Sequence, residues 1–372
     1  MTAIGDMSGE GPERAREERR RTERLRRRTQ WRLGRRLAGI GAFLAGVVAV
    51  LIVIAISLHS HLPFGLSGAS TTTTTDTGDT GPTQPVRPVN TGPSVSVSAV
   101  TSLLAPGSRI AVAPFGAGGA LFLGGFDVSG TATNVVQSFA GASVQAAGTL
   151  PATEASAVAA ALGTGIYLLG GSSATIYEVS STSTSAVGDL PSPTSDAAIA
   201  TVGDTAYVIG GFTGTTELDT IVSFTPGTTP QVVATLPAPL RLATATAYGG
   251  DVYIIGGESN GTASRTVYRF DPTTKTITAF THLPAARDRE AAAALGGHIF
   301  VIGGYNAATG RRTRAIYSID PASGHVHLAG LLPAALSDMA AINTGGQIVA
   351  AGGVSGQGTA SPTIYGISVS RR

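Results

Sequence analysis

The chain has 372 residues, with 50 glycines, no cysteine, only 13% charged side chains and a formal net charge of +2. The lack of cysteine excludes disulfides, thiolate nucleophiles and cysteine metal centres. Abundant glycine and sparse charge suit short strands joined by turns and argue against a helical bundle. The charge is unevenly placed: residues 1–36 hold twelve arginines against six acids, and residues 37–372 hold 13 basic against 17 acidic side chains. A basic tail therefore precedes a mildly acidic body. The single lysine, Lys275, against 24 arginines points to a GC-rich bacterial genome.

Residues 1–36 place Glu and Arg at helical spacings but hold too few apolar residues for a core, which predicts a disordered or partly helical cytoplasmic arm. Residues 37–58 carry no charge across 22 positions. As a helix they span about 33 Å, matching a hydrocarbon core of about 30 Å. A buried soluble helix rarely runs this long without interruption. A signal-peptide core is shorter, at about 7–15 residues. The segment is therefore predicted to be a transmembrane helix. All twelve arginines of the arm precede it and none follows until Arg87, so the N-terminus is expected in the cytoplasm and everything after residue 58 outside. Beside a membrane helix, the Arg arm is expected to fix topology and touch anionic lipids, with no nucleic acid as partner. Residues 59–93 form a Thr/Pro/Gly-rich linker without apolar periodicity, read as a flexible stalk.

Residues 94–372 repeat. Glycine pairs close apolar runs at 124–125, 170–171, 210–211, 256–257, 303–304 and 352–353. Upstream lie Pro106, Pro151, Pro191, Pro237, Pro284 and Pro333, 18 residues before the pair in the first unit and 19 in the other five. Each unit reads as four strands: an Ala/Val-rich run after the proline, an apolar run into the glycine pair, a third run such as 266–271 or 315–320, and a fourth that returns to the next "LP". The expected fold is all-β: a six-bladed β-propeller preceded by one transmembrane α-helix. The last unit ends after three strands, so residues 94–100 are expected to supply its fourth strand and close the ring.

The Gly-Gly pairs, the aromatics three residues before them (Tyr167, Tyr207, Tyr253, Phe300) and "LPAAR" at 283–287 resemble the kelch repeat, whose period is about 50 residues. The resemblance covers the body and implies a kelch-like propeller. The tryptophan usual in kelch fourth strands is absent, since the only Trp is Trp31. The arginine after "LP" stands at Arg287 and is displaced by one at Arg241. Copper-radical chemistry of the kind found in some kelch relatives needs a cysteine that this chain lacks.

Strand order puts the "LP" segments and the loops after Gly-Gly on one face. There Arg241, Arg287, Asp288, Arg289, Glu290, Arg311, Arg312 and Arg314 form the candidate ligand-binding rim, suited to an anionic ligand. The bland reading of these residues is a solvated loop with local ion pairs, with Arg287 tying adjacent blades together. His325 and His327 share one side of a strand but lack a third ligand, so no metal site is expected. The glycine pairs lack the helix and Lys-Ser/Thr of phosphate loops. No catalytic set and no cofactor motif is legible. The favoured function is a membrane-tethered, extracytoplasmic binding scaffold for a protein partner or envelope glycan. The alternative is a kelch-type enzyme, an epimerase or isomerase acting on sugar acids.

Overall fold

The computed structural model describes residues 92–180 and 183–370. The Arg-rich arm, the 37–58 segment and the stalk through residue 91 lie outside the described residues, as do Trp31, His59 and His61. Among the described residues every regular element is a strand, and no helix is long and apolar enough to cross a membrane.

The strands form six four-stranded antiparallel sheets. The first is Ala111–Phe115, Gly119–Leu123, Val135–Ala140 and Ser143–Thr149, in spatial as in sequence order. The next four sheets repeat this meander, beginning at Val158, Ala198, Thr244 and Ala291. The sixth is Ala340–Asn343, Ile348–Ala351 and Thr363–Val369, and its fourth strand is Val95–Ser102 from the start of the body. That strand pairs with Thr363–Val369 through a register shift between Ala99 and Thr101. The third and fourth strands of the other five sheets carry a register shift as well. A bulge at this place strengthens the twist of the outer edge.

The first strands of the sheets touch their neighbours in cyclic order, and the sixth touches the first. Burial follows from this arrangement. The apolar residues divide into six clusters, each filled from two adjacent sheets: Leu121 and Leu123 meet Ile166 and Leu168, and Phe300 and Ile302 meet Ile348 and Ala350. The alternate residues of each central strand face the other neighbour, so both faces are buried and the strands read as continuous apolar runs. Edge-to-face pairs Tyr167–Phe224 and Tyr207–Phe270, with centroids 5.4 and 5.5 Å apart, span adjacent sheets.

The glycine pairs sit where one sheet meets the segment leading into the next. In each repeat the second glycine N–H donates to a carbonyl of that following segment: Gly125 to Glu154 (2.7 Å), Gly171 to Thr194 (2.8 Å), Gly211 to Leu240 (2.8 Å), Gly257 to Arg287 (3.0 Å), Gly304 to Leu336 (2.8 Å) and Gly353 to Gly107 (2.9 Å). The sixth bond closes the circle. At Gly210, φ is +60°, and a Cβ would lie 2.1 Å from the Leu240 carbonyl oxygen. Both the backbone conformation and the close approach therefore demand glycine.

These two demands are separable. Gly163 also has positive φ (+57°), but open space surrounds its missing Cβ. Gly163→Ala is expected to cost only the left-handed penalty, about 1–2 kcal/mol. Gly210→Ala must also displace the Leu240 carbonyl and is expected to cost roughly 3–5 kcal/mol. Urea unfolding of the two variants checks this, and equal losses would contradict the close-approach account.

Candidate functional site

The segment after each "LP" crosses between the loops that follow two successive glycine pairs. In the fifth repeat Arg287 N–H donates to Ser264 O of the fourth, and Arg287 pairs with Asn306 of its own repeat. Each segment ends in one residue of left-handed backbone: Arg109, Ser156, Asp196, Leu242, Arg289 and Asp338, with φ between 49° and 58°. These six are linked head to tail. Each N–H donates to the carbonyl of the preceding repeat's member, over 2.8–3.4 Å, and Arg109 N–H donates to Asp338 O to complete the belt. A non-glycine residue pays for φ above zero, so six at equivalent positions show that the belt holds them there.

The belt residues line one end of a cavity of about 560 Å³ enclosed by the Ala-rich first strands of all six sheets. Their side chains pair across this mouth. Arg109 donates from Nε to Asp338 (2.9 Å) and from Nη1 to Asp196 (2.9 Å) and the Ser156 hydroxyl (3.4 Å). Arg289 contacts Asp288 at 2.5 Å and lies 3.6 Å from Asp338. The aspartates are nearly buried while the two arginines keep over a quarter of their side-chain surface. Burial disfavours the Arg109 charge, but Asp196 and Asp338 outweigh it and hold its pKa above the ordinary value.

Arg109, Asp196 and Asp338 were not among the rim residues nominated by the sequence. The belt residue lies fourteen positions before the first glycine of its pair in five repeats and fifteen in the first. Aligning the repeats on the glycines would have located it. Composition could not, because the six side chains are chemically unlike.

The nominated residues fall into different environments. Arg241 is held by Glu217 (3.2 Å) and Glu258 (2.6 Å), from the third and fourth repeats, and stacks 5.0 Å from the Phe212 ring centre. Arg287 stands one register position away and is only 1% exposed. It lies 4.7 Å from the Tyr317 ring centre and donates from Nη1 to Gly303 O (3.2 Å). In an extended segment a shift of one residue turns the side chain to the other face, which separates a rim arginine from a buried one. Asp288 is buried beside Arg289, and Glu290 is buried against Gly256. Arg312 donates to the Ser337 hydroxyl (3.0 Å) and Arg314 to Leu332 O (2.5 Å), while Arg311 is exposed without a side-chain partner. His325 precedes the strand expected to hold it, which runs Val326–Leu331, and the His327 ring bonds Pro93 O at 2.8 Å. No group of three metal-ligating side chains occurs among the described residues.

Two carboxyl groups of the nominated rim have raised pKa values. Burial raises the Asp288 pKa against the pull of Arg289, helped by Glu258 and Asp338. Burial raises Glu290 well above the ordinary carboxylate range. The Arg287 charge and the Glu290 and Gly257 amides oppose this and are outweighed, and none closes a hydrogen bond to either oxygen.

The Glu290 proton has a thermodynamic consequence. The folded pKa lies above the unfolded one, so the folded state holds the proton over a range where the unfolded state has released it. Stability must then fall as pH rises from the unfolded to the folded value. Glu290→Gln removes this loss, so its stability relative to wild type is expected to be more favourable at pH 7 than at pH 4. Denaturant midpoints at the two values test it; a pH-independent difference would contradict a protonated Glu290. For the rim pair, Arg241→Leu is expected to cost roughly 1–3 kcal/mol by stranding two half-buried glutamates. That cost should shrink in a Glu258→Gln background, and full additivity in the double-mutant cycle would rule the pairing out.

Residues 239–276 and 291–328 match the Kelch motif family. These segments cover most of the fourth and fifth sheets. No curated protein matches the chain. Among solved structures, one titled "Structure of YjhT" is similar over 73% of this chain and 100% of its own, with a TM-score of 0.63 and 14% sequence identity. At that identity the likeness concerns the fold. With kelch motifs set in a closed circle of four-stranded antiparallel sheets, the described body is a kelch-repeat β-propeller.

Proposed function

We propose that this is a single-pass, N-in membrane protein that holds a six-bladed propeller outside the cell membrane on a Thr-rich stalk, where the propeller binds a protein partner or an envelope glycan. The observation that carries the reading is the contrast between frame and loops. Every repeat makes the same two inter-sheet hydrogen bonds, while the segment between the glycine pair and the third strand varies from three residues (172–174) to ten (305–314). Variable loops on a fixed scaffold suit recognition. The 37–58 segment and the arginine asymmetry supply the tether and its direction. Binding or scaffolding is a general role of kelch propellers.

The second reading is an enzyme acting on sugar acids. One observation favours it: Asp288, with raised pKa, is paired with Arg289, which lines the cavity, and an acid of perturbed pKa beside a cavity is suited to proton transfer.

Protease added to intact cells that express the full chain is expected to remove the propeller and spare the arm. A protected propeller would overturn the topology. NMR of a sialic-acid-type sugar incubated with the purified protein separates the two functions. The binding reading expects no change in anomer or epimer composition beyond the uncatalysed rate, and turnover abolished by Asp288→Asn would replace it with the enzymatic one.

A further inference from the structure

The arginines of the propeller divide by partner. Among the described residues, Arg109, Arg241, Arg269 and Arg289 are each ion-paired, and Arg287 is buried under Tyr317. The four others, Arg265, Arg311, Arg312 and Arg314, have no carboxylate within salt-bridge distance. Arg265, Arg311 and Arg314 are exposed and Arg312 is half-buried.

Arg265 lies where the fourth repeat meets the fifth, and Arg311, Arg312 and Arg314 lie in the fifth repeat's loop, with Arg312 and Arg314 reaching the segment that enters the sixth. Arg287 N–H bonds Ser264 O, Arg287 pairs with Asn306, and Asn306 pairs with Arg311. The backbone of Arg265 is thus next to a run of adjacent extended segments that ends at Arg311, about 14 Å away at the usual strand spacing. Arg312 and Arg314 continue along the last segment. Two of these side chains are braced by neutral acceptors, Arg312 by Ser337 Oγ and Arg314 by Leu332 O, which position a guanidinium without neutralising it. An otherwise acidic body therefore carries four uncompensated positive charges in one band.

We infer that this band, Arg265–Arg311–Arg312–Arg314, is a docking surface for a linear polyanionic chain, an acidic glycan with repeated phosphate or carboxylate groups. The inference deepens the binding reading above and rests on it. A band longer than a Debye length of about 8 Å suits a ligand that presents several charges in series better than a single small anion. Forked guanidiniums accept either phosphate or carboxylate oxygens.

The test uses the full chain in detergent micelles, with fluorescent long-chain inorganic polyphosphate and polygalacturonate as probes. Binding to at least one is expected, and which one binds identifies the anion. With four contacts, affinity is expected to fall about fifty-fold between 50 and 200 mM salt. Arg311→Glu/Arg314→Glu should weaken binding roughly tenfold or more. Arg269→Glu, a charge reversal at an arginine paired with Asp251 outside the band, should leave binding near wild type. Equal binding by the Arg311/Arg314 variant, no binding of either polymer at 50 mM salt, or binding only to vesicles containing phosphatidylglycerol would each overturn the inference. A failed polymer test with the propeller still protease-accessible on cells removes the polyanion and leaves the binding reading intact.

Discussion

The structure depends on one contact: an amide of a glycine pair donating to the carbonyl of the segment that leads into the next sheet. A four-stranded sheet with both faces apolar is not stable alone and must be covered on each side. Six such sheets solve the problem only if each meets its neighbour at the same angle and depth. The Gly-Gly corner sets that depth. It lets two backbones approach closer than any side chain permits, and the resulting hydrogen bond recurs six times without interruption. The inner belt from Arg109 to Asp338 repeats the constraint nearer the axis. Between the two circles the side chains are free to vary in chemistry, and the belt carries Arg, Ser, Asp and Leu.

The repeat was legible because its causes are local. Glycine pairs, a proline step and apolar runs are written into every unit, and the strands follow them: the third-strand segment 266–271 is a strand over those residues. The reason for the glycine pair was only half visible. Its cause is a contact between sheets, against the carbonyl of the segment that enters the next sheet, far from the pair in sequence. The charge network was less legible still. Arg241 and Arg287 look interchangeable in sequence, yet one register step sends the first to a pair of glutamates and the second beneath Tyr317. The partners of Arg109 are 87 and 229 residues away, and no spacing rule reaches that far. Glu290 looked like a rim acid but is enclosed because the next residue begins a buried first strand.

The face that carries these charges has two zones. Around the cavity mouth, arginines and acids pair across four repeats, which holds the belt's side chains in fixed positions. Outside it, the loops after the glycine pairs differ in length, and one stretch keeps its positive charge uncompensated. A rigid inner zone and a variable outer zone are what a recognition scaffold requires: the first limits the entropy lost on binding, and the second supplies specificity. The stalk and membrane segment proposed above would confine such a surface to the cell envelope.

The closed circle is the claim on which the rest stands, and its weakest place is the seam where Val95–Ser102 joins Thr363–Val369. Native-state hydrogen exchange of the six second-glycine amides tests it directly. If the circle is closed, the Gly353 amide is protected to the same order as those of Gly125, Gly171, Gly211, Gly257 and Gly304. Exchange at Gly353 orders of magnitude faster than at the other five would contradict the account, because the sixth sheet would then be open to its neighbour.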